Sequence, residues 1–264
     1  MRKPFATVLL LAPTLLFGQG ALQGTWRTNM DQSQLSPQPY VFSVADGMYE
    51  CSTCAPKIKI KADGTDQPVT GQSYDTLSVR VNDSKTIALT AKKGGKTVFE
   101  QTRTATDDGS TLALKNISYA KESGNQVETN VSFTRTDKAT PDANATSGSW
   151  QINKVVESDT GLMTTYKWAG DELSMSQPAG ENYTAKLDGK DYPYHGSYSF
   201  DSVSLKQIDD RTIEVTNKRE GKVISVSRIS VSPDGGTLTE VANNKLTNRT
   251  STYISEKETI DAGK

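Results

Sequence analysis

The chain has 264 residues, of which 34% are hydrophobic and 7% aromatic, with 30 Lys plus Arg against 31 Asp plus Glu. That balance excludes a nucleic-acid binder driven by net positive charge, and it leaves no global field to steer the chain onto anionic lipid. A single His excludes zinc sites built on several imidazoles, and the hydrophobic fraction is low enough that any core must be thin or divided.

In chain order, Arg2 and Lys3 precede an apolar run from Ala6 to Phe17, followed by the small residues Gly18, Gly20 and Ala21. A positive start, a short apolar stretch and small residues form an export signal, expected over residues 1–20 with cleavage after Gly20 or Ala21. The alternative is an uncleaved anchor helix, but the run is short for a bilayer and no second apolar stretch follows. The mature protein is expected to be secreted or periplasmic, with no transmembrane segment.

The next elements are strands. Apolar residues alternate with polar ones at Ile58 and Ile60, at Leu77, Val79 and Val81, and at Ile87 and Leu89. Period two with Lys, Ser and Thr between marks strands wet on one side. Asp-Gly or Gly-Gly pairs at 63–64, 94–95, 108–109 and 234–235 supply the turns between them. Eight strands are expected in the first half, near 25–29, 40–50, 57–62, 75–82, 85–92, 96–105, 111–119 and 127–135. One short helical turn is the best helix candidate, around Met30 to Leu35.

The chain is then written a second time. KADGTDQPVTG at 61–71 answers KLDGKDYPYHG at 186–196. The correspondence continues in order: Asp75 with Asp201, Thr86-Ile87 with Thr212-Ile213, Gly95-Lys96 with Gly221-Lys222, and Asp108-Gly109 with Asp234-Gly235. Each copy opens alike, on Gly24-Thr25-Trp26 and Gly148-Ser149-Trp150. A period this long is a tandem domain duplication and not a solenoid. The boundaries read from it are a first barrel repeat at 21–137, a linker without large apolar residues at 138–147, a second repeat at 148–258 and a tail at 259–264.

Short connections favour antiparallel neighbours, and a meander of this length removes its edges most simply by closing. The expected fold is therefore all-β, as two tandem antiparallel up-and-down barrels, with a β-sandwich as the alternative. G-x-W at the head of such a meander resembles the opening of the lipocalins and their fatty-acid-binding relatives. That resemblance implies that Trp26 and Trp150 close one end of each barrel, with Arg135 from the last strand over the Trp of the first unit. In the second unit it places Ser255 where that Arg would stand. The wider pattern, YTAKLDGKDYPYHG followed by DSVSLK and VSPDGGTL, is similar to an uncharacterised family of secreted bacterial proteins. That likeness implies bacterial origin and brings no established activity with it.

Few residues suggest chemistry. Cys51 and Cys54 form C-x-x-C; in an oxidising compartment a disulfide is the preferred reading. A redox dithiol would need a helix N-terminus, and the next segment alternates as a strand. A zinc site would need further ligands, with only His195 on offer. His195 itself, answered by Thr70 in the first copy, reads as a surface loop residue. Tyr192, Tyr194 and Tyr198 concentrate in one segment; they read either as a binding rim or as packing at the barrel mouth. The repeated carboxylates Asp63, Asp66, Asp188 and Asp191 read as turn residues, with calcium as the alternative. No cofactor motif and no catalytic constellation is found. The expected role is non-catalytic: binding of a small apolar ligand inside a barrel whose inward residues include the small Ala62, Ala88 and Ala185. An envelope protein–protein module and a thiol oxidoreductase are the alternatives.

Overall fold

The computed structural model describes residues 20–138 and 141–258. The expected export signal, apart from Gly20, lies outside the described residues, as do linker positions 139–140 and the tail at 259–264. The first copy contributes β1 (Gly24–Gln34), β2 (Tyr40–Ala45), β3 (Met48–Cys51), β4 (Ile58–Lys61), β5 (Gln67–Pro68), β6 (Thr76–Val81), β7 (Thr86–Lys93), β8 (Lys96–Ala105), β9 (Thr111–Tyr119) and β10 (Gln126–Arg135). The second contributes β11 (Gly148–Glu157), a one-turn helix α1 (Asp159–Leu162), β12 (Met163–Ala169), β13 (Glu172–Ser176) and β14 (Asn182–Lys186). It continues with β15 (Tyr192–His195), β16 (Ser202–Asp209), β17 (Thr212–Arg219), β18 (Lys222–Val231), β19 (Thr237–Asn244) and β20 (Arg249–Lys257).

The fold is all-β, built as two antiparallel barrels. Each has ten strands rather than eight. The stretch expected as one strand near 40–50 is a hairpin, turned at Asp46-Gly47 with φ of 51° and 71°. Two consecutive left-handed residues make the tight turn whose twist suits a hairpin, and Asp-Gly is its preferred sequence. The helical turn expected around Met30 to Leu35 is instead the far end of β1, where the pairing with β20 slips between Asn29 and Gln34.

The barrels are not the sequence copies. β1 pairs with β12 through Gly24↔Tyr166 and with β20 through Trp26↔Lys257, so it belongs to the barrel of the second copy. β11 pairs with β10 through Arg135↔Trp150 and with β2 through Gly148↔Phe42, so it completes the barrel of the first. The copies thus exchange their opening strands, and the repeat boundaries at 137 and 148 do not bound the folded units. β11 follows β10 after the connection 136–147 and takes the antiparallel place between β10 and β2, where β1 would have closed the first barrel; β1 takes the matching place between β12 and β20. Below, barrel 1 is β2–β11 and barrel 2 is β1 with β12–β20.

Barrel 2 is closed, β14 meeting β15 through Asn182↔His195 and Tyr183↔Tyr194. Barrel 1 is left unjoined between β4 and β5, the equivalent place. Each barrel has its own apolar core. Trp150 joins Leu77, Val79, Ile87 and Leu112 in barrel 1; Trp26 joins Leu173, Val203, Leu205 and Ile213 in barrel 2. Packing is tightest at the Trp end of each barrel. Further along the same inner faces, Arg103, Leu114, Glu240 and Tyr253 keep partial exposure.

The repeated motifs are structural. Asp63 and Asp188 each accept the backbone N–H two residues on, from Thr65 at 2.9 Å and Lys190 at 3.0 Å. Asp66 pairs with Lys92 at 2.7 Å and Asp191 with Lys218 at 2.6 Å. Two turn caps and two ion pairs, one of each per copy, therefore account for all four carboxylates.

Candidate functional site

The closed ends explain G-x-W. Trp150 Nε1 donates to Thr146 O at 2.9 Å, and Trp26 Nε1 donates to Leu22 O at 2.8 Å. Arg135 lies 4.1 Å over the Trp150 ring and Lys257 lies 5.2 Å over the Trp26 ring. The expected cation–Trp pairing is present, but Arg135 covers the Trp of the other copy, as the strand exchange requires. The partner in barrel 2 is Lys257, not a position left to Ser255, which is buried two residues earlier. The preceding glycines are required here: a Cβ on Gly148 would meet Arg135 Nη1 at 2.2 Å, and one on Gly24 would meet Lys257 Cε at 2.6 Å. Both also have positive φ, 145° and 133°. Arg135 further donates to the carbonyls of Gly109 at 2.6 Å, Ser147 at 2.7 Å and Ala145 at 2.7 Å. This end is sealed.

The other half of barrel 1 is open. A cavity of about 580 Å³, within the range of small-molecule sites, lies between the inner faces of β2, β3, β8, β9, β10 and β11. Its apolar walls are Phe42, Leu114, Val131, Phe133 and Ile152, and the β19–β20 hairpin of barrel 2 borders its mouth with Leu246, Thr247 and Arg249. Arg249 is engaged with main-chain carbonyls, donating to Gln38 O and to Pro39 O at 2.6 Å, and its guanidinium lies 4.0 Å over Tyr40.

Arg103 is the cavity's inner charge. It stands on β8 directly opposite Leu114 of β9 and turns inward with Gln101 and Ala105. Its Nε donates to Gln101 Oε1 at 2.6 Å and its Nη1 to the Tyr49 hydroxyl at 3.2 Å, while its plane lies 4.1 Å over Phe42. These contacts hold the guanidinium without neutralising it. Among the described residues no carboxylate pairs with Arg103, and none lines the cavity. Burial pushes the nearby Tyr74 hydroxyl up to about 12, the charge of Tyr49 adding and that of Arg103 opposing, so it stays neutral at physiological pH.

Cys51 and Cys54 are bridged. The bridge closes the loop after β3, and both cysteines border the cavity. Cys51 ends a strand, with no helix N-terminus to lower a thiol pKa.

The tyrosines expected as a rim do not share a surface. Tyr194 is buried in barrel 2, donating to Glu181 Oε2 at 2.8 Å and packed on Tyr183 and Phe200 with ring centroids 5.6 and 5.5 Å away. Tyr192 bonds back to Asp188 Oδ2 at 3.1 Å, and Tyr198 packs against the core of barrel 1. His195 is exposed on strand β15, not on a loop. Of the alanines, Ala62 and Ala185 are buried inward in the packed regions, while Ala88 points outward between buried Ile87 and Leu89. None of them makes the cavity. Sequence reasoning passed over Arg103 because one basic residue in an alternating strand reads as a solvated face; its parity with the apolar Ala105 was the available signal. No family model and no curated protein matches the chain.

Proposed function

We propose that the protein is an exported, non-catalytic binding protein whose barrel 1 takes a small amphipathic anion: an apolar body with one carboxylate, sulfate or phosphate. The uncompensated Arg103 in an apolar-walled cavity carries this reading. A guanidinium with no counter-ion in a partly dry site is costly, and an anionic ligand offsets that cost through charge-assisted hydrogen bonds. The purely apolar ligand expected from sequence would leave that charge unanswered. Export is supported by the signal pattern at residues 1–20 and by the Cys51–Cys54 bridge. The likeness of G-x-W to the lipocalin opening supports the same binding role, by analogy of fold alone.

Calorimetric titration with decanoate tests the reading, with decanol as the uncharged control. Decanoate is expected to bind well ahead of decanol, and Arg103→Gln is expected to weaken it about tenfold, or ~1.4 kcal/mol. Equal binding of acid and alcohol, or an unchanged affinity in Arg103→Gln, would refute it.

A further inference from the structure

Two arginines, not one, border the cavity of barrel 1. Arg103 comes from β8 and Arg249 from β20 of barrel 2, and no Asp, Glu, Lys or His lines the cavity with them. Neither guanidinium is paired with a carboxylate among the described residues. Both are seated on aromatic rings of the same strand. Arg103 lies 4.1 Å over Phe42 and Arg249 lies 4.0 Å over Tyr40. Tyr40 stands opposite Trp150 of β11 and Phe42 opposite Gly148, so the two rings share the inner face of β2. They are one two-residue step apart, roughly 7 Å along the strand. The two charges therefore stand over successive rings in one cavity.

Each guanidinium also keeps donors in reserve. Arg103 donates to Gln101 Oε1 and to the Tyr49 hydroxyl, and Arg249 donates to Gln38 O and Pro39 O, so two of the five N–H groups are used on each and three remain. A head with one negative charge answers one arginine and leaves the other uncompensated in a partly dry site, which is costly. A head with two negative charges answers both. A phosphate monoester presents three acceptor oxygens, and charge-assisted N–H···O bonds of about 2.8 Å let one tetrahedral group meet two guanidiniums.

We infer that the anion site selects a dianionic head: its ligand class is the phosphate monoester of an apolar alcohol, with the phosphate held by Arg103 and Arg249 together and the body against Leu114, Val131, Phe133 and Ile152. This inference rests on the reading of barrel 1 as an anion-binding site and narrows it. Arg103 serves any anionic head, and Arg249 selects for the second charge. The site is then a joint product of the two barrels. Arg249 belongs to β20, and its bonds to Gln38 O and Pro39 O fix the β19–β20 hairpin against the segment that leads into β2.

Decyl phosphate and decyl sulfate test it, because their tetrahedral heads match in shape and differ in charge. The phosphate gains its second charge above a pKa of about 6, whereas the sulfate keeps one throughout. In calorimetric titrations of the whole protein at about pH 7.5, decyl phosphate is expected to bind about fivefold tighter or more, with the ratio falling toward one at about pH 5. Decyl sulfate at each pH corrects for the protein's own titrations, Glu157 and Glu240 included. Arg249→Gln should bring the ratio at the higher pH toward one, and Arg249→Lys should keep most of it. A wild-type ratio of one, or a ratio unchanged in Arg249→Gln, overturns the inference. Sulfate binding that still depends on Arg103 would then leave the anion reading of barrel 1 standing; binding of neither ligand removes both. Should Arg249→Gln fail to fold, wild-type amide shifts decide: shifts at Asn244 to Arg249 specific to the phosphate support the joint site, and identical shifts with both ligands refute it.

Discussion

The two barrels differ where duplication left them free to differ and agree where the fold gave no choice. Both close one end with a buried Trp, a cation over its ring and a glycine that admits the cation. They diverge at the other end. Barrel 1 is unjoined between β4 and β5, carries a disulfide and holds an inward arginine; barrel 2 is joined throughout and holds an inward glutamate among tyrosines. The lesson is one of constraint. At the closed end the tryptophans are fully buried with their indole N–H groups bonded to carbonyls, so their substitution is costly. At the other end the inner side chains are only half-buried, and the two barrels carry charges of opposite sign there.

The largest test of this comparison concerns the exchanged strands. Trp150→Ala removes a fully buried ring and is expected to cost about 3–5 kcal/mol. Because β11 sits in barrel 1, amide protection should fall first in β2–β10, in the other copy of the sequence, and Trp26→Ala should do the reverse to β12–β20. Protection lost within the mutated copy instead would break the exchange.

The caps come next. Arg135→Ala deletes three buried hydrogen bonds to carbonyls and a ring contact, with an expected loss of about 3 kcal/mol. Lys257→Ala, at the equivalent but exposed place, should cost under about 1 kcal/mol. Denaturant midpoints at constant slope measure both; equal losses would show that the two ends are not held differently. Opening the disulfide with Cys51→Ser and Cys54→Ser together is expected to cost about 2 kcal/mol for so short a loop. The loss should be confined to the cavity end of barrel 1, as read by exchange of β2–β4 amides.

The smallest effect is a pH slope. Burial raises the Glu240 carboxyl, with the Ser227 hydrogen bond opposing, and burial raises Glu157 as well. Between the ordinary carboxyl range and the raised folded value, the folded state keeps a proton that the unfolded chain has released. Stability is therefore highest below that window and falls as pH rises through it, by up to about 1.4 kcal/mol per pH unit for each group. Glu240→Gln should remove one such contribution and leave that of Glu157. An unchanged slope would place the Glu240 carboxyl in contact with solvent.

How far the sequence could be read follows from which interactions are local. Alternation and the Asp-Gly turns declared antiparallel strands because a strand's side-chain period and a turn's positive φ are properties of neighbouring residues. The same logic would have found the β2–β3 hairpin, since Asp46-Gly47 carries the same turn chemistry as Asp108-Gly109. C-x-x-C left a redox dithiol and a zinc site open beside the bridge, and the expected export favoured the bridge. Arg103 and Glu240 were hidden, because a charged residue in an alternating strand looks alike whether its face is wet outside or enclosed by nine other strands.

By itself, then, the amino-acid order determined the all-β class and the duplication, which depend on short-range periodicity and on recurrence along the chain; the bridge was one of three readings of C-x-x-C, and the closing tryptophans were implied by the resemblance of G-x-W to the lipocalin opening. Only the tertiary structure decided that Trp26 and Trp150 trade places, that the three tyrosines disperse, and that one barrel interior is basic and the other acidic. Those outcomes rest on which strands become neighbours across more than a hundred residues, and strand adjacency is set by chain closure and by competition between equivalent edges, neither of which leaves a mark in a local pattern.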